Sequence, residues 1–182
     1  MTRRLDYNQV AANGVKALGG VYGYVMQSGL PAELVDLVYL RVSQINNCAY
    51  CLDMHTRDLI KKGVKIENLA LVQSWAEAGH LYSERERAAL AWAEAVTRVS
   101  ETGVPDEAFE AARAAFEEKE LVDLTIAISL MMPITGWPSA SGTRHGQRSK
   151  TKRPSACVGE QAAAWTHAVG SSRVYGCLRH FY

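Results

Sequence analysis

Cys48-Ala-Tyr-Cys51-Leu-Asp-Met-His55 holds two thiols and an imidazole at a spacing that becomes one site only on a helix. At about 100° per residue, Cys51 lies roughly 300° round the axis from Cys48, and His55 roughly 340° round from the same start. All three therefore point one way, with His55 one turn beyond Cys51. A thiol pair with a proton acceptor in reach is the minimum equipment for thiol–disulfide chemistry.

The flanking sequence supports the helix. Upstream, Pro31 opens a helix at a favoured first-turn position. Its apolar residues Leu34, Val35, Leu37, Val38 and Val42 follow a helical period. Asn46 and Asn47 interrupt that period, and either suits the cap of the cysteine helix. Gly63, after Lys61 and Lys62, suits its end.

The same signals recur along the chain. Asn8 to Val25 reads as a helix weakened by Gly14, Gly19 and Gly20, and a shorter one surrounds Ile66 to Trp75. Ser83-Glu84-Arg85-Glu86 is a capping box for a helix running to about Val99. Gly103 and Pro105 break it, Asp106 to Phe116 forms the next, and Glu118 to about Met131 the last. With no period-2 strand and no hairpin signal, the chain is expected to be all-α. Trp75, Leu90, Trp92 and Val122 read as core, and His80 as surface.

Of the 182 residues, 48% are hydrophobic and 21% charged, the composition of an ordinary globular domain. No apolar run approaches the roughly 18 residues of a membrane span, and the charged N-terminus lacks a signal-peptide core. A reducing cytoplasm is therefore expected, where a Cys-x-x-Cys is catalytic or metal-binding rather than a staple. Cys51 is the better attacking thiol, because His55 sits at i+4 from it. Cys48 then resolves the sulfenic acid into a Cys48–Cys51 disulfide. Two alternatives stay open. A structural zinc site needs four ligands and finds three here, with Cys157, Cys177 and His80 at no convincing spacing. The plainer one is a pair of buried structural thiols beside a helix-face imidazole.

The segment from Leu40 to Asp58, with its core Ser43-Gln44-Ile45-Asn46-Asn47-Cys48-Ala49-Tyr50-Cys51-Leu52-Asp53-Met54-His55, closely resembles the carboxymuconolactone decarboxylase-like family on its alkylhydroperoxidase D-like branch. The likeness continues through Ser83–Thr97 and Val104–Glu107 and ends near Met131. It implies an all-helical domain over residues 1–131 that assembles as a homo-oligomer, a trimer or hexamer. It also implies a hydroperoxide substrate and an external dithiol reductant, with no cofactor, metal, nucleic acid or membrane. The second cysteine attacks, the first resolves, and the histidine with an upstream Glu relays protons. Cys51, Cys48 and His55 match directly. Asp36 stands where the Glu is expected, twelve residues before Cys48; it is one methylene shorter, which leaves Glu33, one turn earlier, as the fallback. The resemblance favours peroxide reduction or general disulfide exchange over lactone decarboxylation, because the decarboxylases lack the cysteine pair. A non-enzymatic helical oligomerisation or zinc-binding module is the alternative.

From residue 132 the character changes. Residues 133–182 carry seven Lys and Arg against one acid, a charge of +6, whereas residues 1–132 carry thirteen against eighteen, or −5. The resemblance implies a helix continuing as Asn-Ala-Tyr-Asn-Arg-Leu-Ala-Ile-Ser-Phe-Arg. That peptide can be encoded so that losing one A from its first codon yields Met-Pro-Ile-Thr-Gly-Trp-Pro-Ser-Ala-Ser-Gly, the residues of Met132 to Gly142. The expectation is a basic, irregular tail over 132–182, read out of frame and unable to repay its ordering entropy. A basic nucleic-acid-binding tail ranks below it.

Overall fold

The computed structural model describes residues 5–141, and among them every regular element is helical. They are α1 (Tyr7–Val10), α2 (Ala12–Gln27), α3 (Ala32–Ile45), α4 (Ala49–Lys61), α5 (Ile66–Leu71), α6 (Glu84–Thr97), α7 (Val99–Thr102), α8 (Asp106–Ala115) and α9 (Glu118–Ser141). Short 3₁₀ turns at Val72–Ser74 and Gly79–Leu81 link α5 to α6. The all-α expectation holds.

Helix α3 is the centre of the fold because it is apolar nearly all round, which demands neighbours on every side. It packs against α4, α6 and α9. Val35, Val38 and Val42 join Leu124, Ile128 and Met131 of α9 in the larger core, while Leu37 and Leu40 join Leu59 of α4 and Leu90 of α6 in a second. Two polar ties lock the layers. Buried Arg41 pairs with Glu94 at 2.7 Å, and the Trp75 indole donates to the same carboxylate at 2.7 Å. Buried Asp123 of α9 accepts from Tyr24 Oη of α2 at 2.7 Å and pairs with Lys119 at 2.6 Å.

Local chemistry sets the helix ends. Ser83 and Glu86 form the expected capping box: the Ser83 N–H donates to Glu86 Oε2 at 2.7 Å and the Glu86 N–H to Ser83 Oγ at 3.2 Å. Gly63 takes a left-handed φ of 89° just beyond α4. The Val64 N–H then reaches Leu59 O at 3.1 Å and the Gly63 N–H reaches Ile60 O at 3.0 Å, a Schellman closure.

Three expectations need correction. Neither Asn46 nor Asn47 caps the cysteine helix: Asn46 closes α3, and Asn47 turns the chain at φ 52°, a left-handed conformation that Asn tolerates. Helix α9 does not stop near Met131. It runs to Ser141 through Pro133 and Pro138, each of which removes an N–H from the ladder. Tertiary anchors hold it there: Ile134 and Thr135 are buried, Asn46 Nδ2 donates to Thr135 Oγ1 at 2.9 Å, and the rings of Trp137 and Tyr7 meet edge-on at 5.7 Å. The irregular tail expected from residue 132 is therefore helical as far as 141, and its remainder, 142–182, lies outside the described residues. Finally, Glu118–Pro138 is long and apolar enough to cross a membrane, with a mean hydropathy of 1.4. Half of it is buried inside this protein, where Leu124, Ala127, Ile128 and Met131 use its apolar faces as core.

Candidate functional site

The turn between α3 and α4 builds the thiol pair. The Cys48 N–H donates to Ser43 O at 3.1 Å, tying the end of α3 to the start of α4. Cys48 itself is the N-cap, in extended backbone, and its Sγ accepts the Cys51 N–H at 3.4 Å. The two sulfurs lie 2.7 Å apart with both cysteines free. Cys48, Cys51 and His55 are 3%, 1% and 3% exposed, so all three side chains sit in the interior.

This geometry divides the charge within the pair. The side-chain contact with Cys51, with the Cys51 and Tyr50 backbone N–H groups, draws the Cys48 thiol down to about 7, against the opposing effect of burial. The same contact with Cys48, together with burial, pushes the Cys51 thiol up. These shifts favour thiolate on Cys48, whereas the spacing to His55 pointed to Cys51. At 2.7 Å the sulfurs are close enough for a proton to pass from Cys51 to Cys48, which moves the charge to Cys51.

Asp36 is the carboxylate that reaches His55. Its Oδ1 lies 3.5 Å from His55 Nδ1, a contact longer than a normal hydrogen bond. Its other oxygen pairs with Lys62, whose Nζ also donates to Ala32 O at 2.9 Å. Burial pushes the Asp36 carboxyl up, but His55 and Lys62 more than offset it, and the net shift is downward. Glu33 is exposed on the first turn of α3 and does not substitute. The expectation that His55 also meets a thiol is not met: neither ring nitrogen has a hydrogen-bond partner, and the ring lies beside Tyr39, centroids 5.2 Å apart. Sharing a helix face with Cys51 fixes direction, not contact, and α3 supplies the histidine's neighbours.

Two participants escaped the sequence reading. Lys62 reads as a lysine suited to a helix C-terminus, although it lies two turns beyond His55 on the same face. Tyr39 lies three residues after Asp36 on the same face of α3, and that spacing was the available signal. Among the described residues no group of three His, Cys, Asp or Glu side chains is placed to hold a metal ion. His80 is exposed as expected, and Cys157 and Cys177 fall outside the described residues. Trp92 and Leu90 are core as expected, but Val122 is 58% exposed. It lines a 390 Å³ cavity with Trp92, Phe109, Leu121 and Ile126, and none of the site residues borders that cavity.

The sequence profile of the carboxymuconolactone decarboxylase family matches residues 13–95. The uncharacterized protein YdfG of Bacillus subtilis is 34% identical over 152 residues, 84% of this chain and all of that protein. YnjA of Escherichia coli, also uncharacterized, is 30% identical over 57% of this chain and 56% of its own length. A crystal structure of a protein of unknown function from Agrobacterium tumefaciens, described as a candidate antioxidant-defence protein AhpD, superposes with a TM-score of 0.76 at 35% identity, covering 81% of this chain and all of that one. A peroxidase-related protein from Silicibacter sp. TM1040 shares the fold, with a TM-score of 0.64 at 20% identity over 73% of this chain and 70% of that one. Helix order, motif and extended identity agree: the chain belongs to the carboxymuconolactone decarboxylase family and has the AhpD-like helical fold.

Proposed function

We propose that the protein is a thiol-dependent peroxidase that reduces hydroperoxides through the Cys48–Cys51 pair. The observation that carries this reading is a buried pair of free thiols 2.7 Å apart at a helix N-terminus, with an imidazole on the next turn of α4 and its carboxylate facing it from α3. Cys51 attacks as thiolate after its proton passes to Cys48. A sulfur–oxygen bond forms, the peroxide O–O bond breaks, and the alkoxide leaves with a proton as an alcohol. Sulfur is oxidised by two electrons. Cys48 then displaces hydroxide from the sulfenic acid, releasing water and closing the disulfide. An external dithiol resets the pair by exchange. His55 holds the proton delivered to the alkoxide, and Asp36, anchored by Lys62, orients His55.

The Agrobacterium relative's antioxidant-defence description supports the same direction. The family resemblance of the sequence supports a homo-oligomer, a trimer or hexamer, as the working form, and the thiol chemistry suits a reducing cytoplasm. The scheme calls for no cofactor. A second reading, in which Cys48 attacks, is favoured by the lowering of its thiol. The assay that tests the proposal is hydroperoxide consumption with a dithiol donor, comparing wild type with Cys51→Ser and Cys48→Ser. Sulfenic acid trapped on Cys51 in the Cys48→Ser variant supports Cys51 as nucleophile; trapping on Cys48 in the reciprocal variant reverses the roles. Unchanged turnover in both variants eliminates the mechanism. Stoichiometric zinc in the purified protein favours the non-enzymatic alternative, a zinc-binding or helical oligomerisation module.

A further inference from the structure

We infer that Tyr39 is a substrate-binding hydrogen-bond donor, its phenol O–H holding the leaving oxygen of the hydroperoxide beside His55. The inference rests on the peroxidase reading and extends it to a residue outside the cysteine–histidine motif. Tyr39 is 2% exposed, yet its Oη has no hydrogen-bond partner. Buried tyrosine hydroxyls normally find one, since an unmet buried donor is costly. His55, 3% exposed, leaves Nε2 unpartnered as well. The two rings lie 5.2 Å apart and tilted by 54°, and Tyr39 belongs to the same buried cluster as Cys48 and Cys51. Two unmet polar groups on neighbouring rings, in the core that also holds the thiol pair, fit a ligand with two adjacent polar atoms and a small apolar remainder. A hydroperoxide has that shape. A phenylalanine would fill the same space without an unmet hydroxyl, so packing does not account for the oxygen.

Burial, with Tyr22 and Asp36 nearby, pushes the phenol up and keeps it protonated. It can therefore donate throughout the reaction. When sulfur attacks the distal oxygen, the O–O electron pair moves to the proximal oxygen, which departs as alkoxide. Tyr39 stabilises that developing charge by donating without losing its proton, and the proton on His55 completes the alcohol. The electrons come from sulfur alone, so no further reductant enters this step.

Tyr39→Phe tests the assignment. The expected result is a roughly 100-fold fall in kcat/KM for hydroperoxide, the scale of removing one donor to a developing oxyanion. Thermal stability should hold or rise, because an unmet buried group is removed, and iodoacetamide alkylation of the pair should stay within about twofold of wild type. A merely structural tyrosine predicts the reverse: lost stability with turnover per folded molecule unchanged. Wild-type turnover in Tyr39→Phe, or failure of that variant to fold, overturns the assignment while leaving the peroxidase reading intact. Absence of hydroperoxide turnover in the wild type, with a dithiol donor present, removes the peroxidase reading and this inference together.

Discussion

Replacing Cys51 with Ala should move the titration of Cys48 back toward that of a free thiol. In the native pair the side-chain contact with Cys51 is the foremost cause that draws the Cys48 thiol to about 7. At pH 7 such a group is half thiolate, whereas a free thiol near 8.5 is about 3% thiolate, a gain of about 15-fold. Nucleophilicity falls with pKa along a Brønsted slope of about 0.4–0.5, which returns about fivefold of that gain. The net change in rate at pH 7 is thus only about threefold, and burial slows both forms. The midpoint of the pH–rate curve is therefore the informative readout. Iodoacetamide alkylation should be followed from about pH 5 to 10 and resolved by peptide mass spectrometry, because Cys157 and Cys177 also carry thiols. In the wild type the Cys48 rate should rise through a midpoint near 7, and in Cys51→Ala that midpoint should move upward by a unit or more. A wild-type midpoint near 8.5, or the same midpoint in both proteins, refutes the argument that the contact with Cys51 lowers the Cys48 thiol.

Lys62→Gln should narrow the acid range of stability. The Asp36 carboxyl is lowered in the folded chain, so its contribution is present above its unfolded value, about pH 4, and is lost as pH falls through the folded value. Lys62 is 32% exposed, so its share is below about 1 kcal/mol; urea titrations at pH 3–6 that superpose for both proteins would remove it. Leu124→Ala should cost about 2–5 kcal/mol in denaturant unfolding, because the side chain is fully buried between α9 and α3. A loss under about 1 kcal/mol means α9 is not seated there. The out-of-frame reading from residue 132 onward remains a proposal with a direct check: the neighbouring frame of the gene should encode a family-like helix, and a coding sequence without one ends the idea.

Most of the architecture was legible because its signals are local. The Ser83 capping box, Gly63 and the helical period of α3 each act within a few residues of themselves. The thiol pair was legible for the same reason. What was not legible depends on distant partners. The stop expected at Met131 followed from the change of composition beyond it, which is a local signal, but Asn46 at the end of α3 and the buried seat of Ile134 hold the helix past it. The charge within the thiol pair followed the same logic. His55 at i+4 pointed to Cys51, yet capping by Cys48 and the close contact of the two sulfurs favour thiolate on the other residue. Spacing placed Tyr39 on the face of Asp36 and Lys62 on the face of His55, but only the packing of α3 on α4 brings those two faces together.

The sulfur that caps the start of α4 is also one whose oxidation state changes. Reduced Cys48 offers a charged acceptor to the first turn of α4, and the disulfide offers a weak neutral one. Helix caps are worth about 0.5–2 kcal/mol. For a two-electron couple that corresponds to about 10–40 mV, biased toward the reduced form. The backbone at residues 48–51 thereby helps set how strong an oxidant the disulfide is. Substitutions that only loosen or tighten that first turn should retune the reduction potential without touching either cysteine.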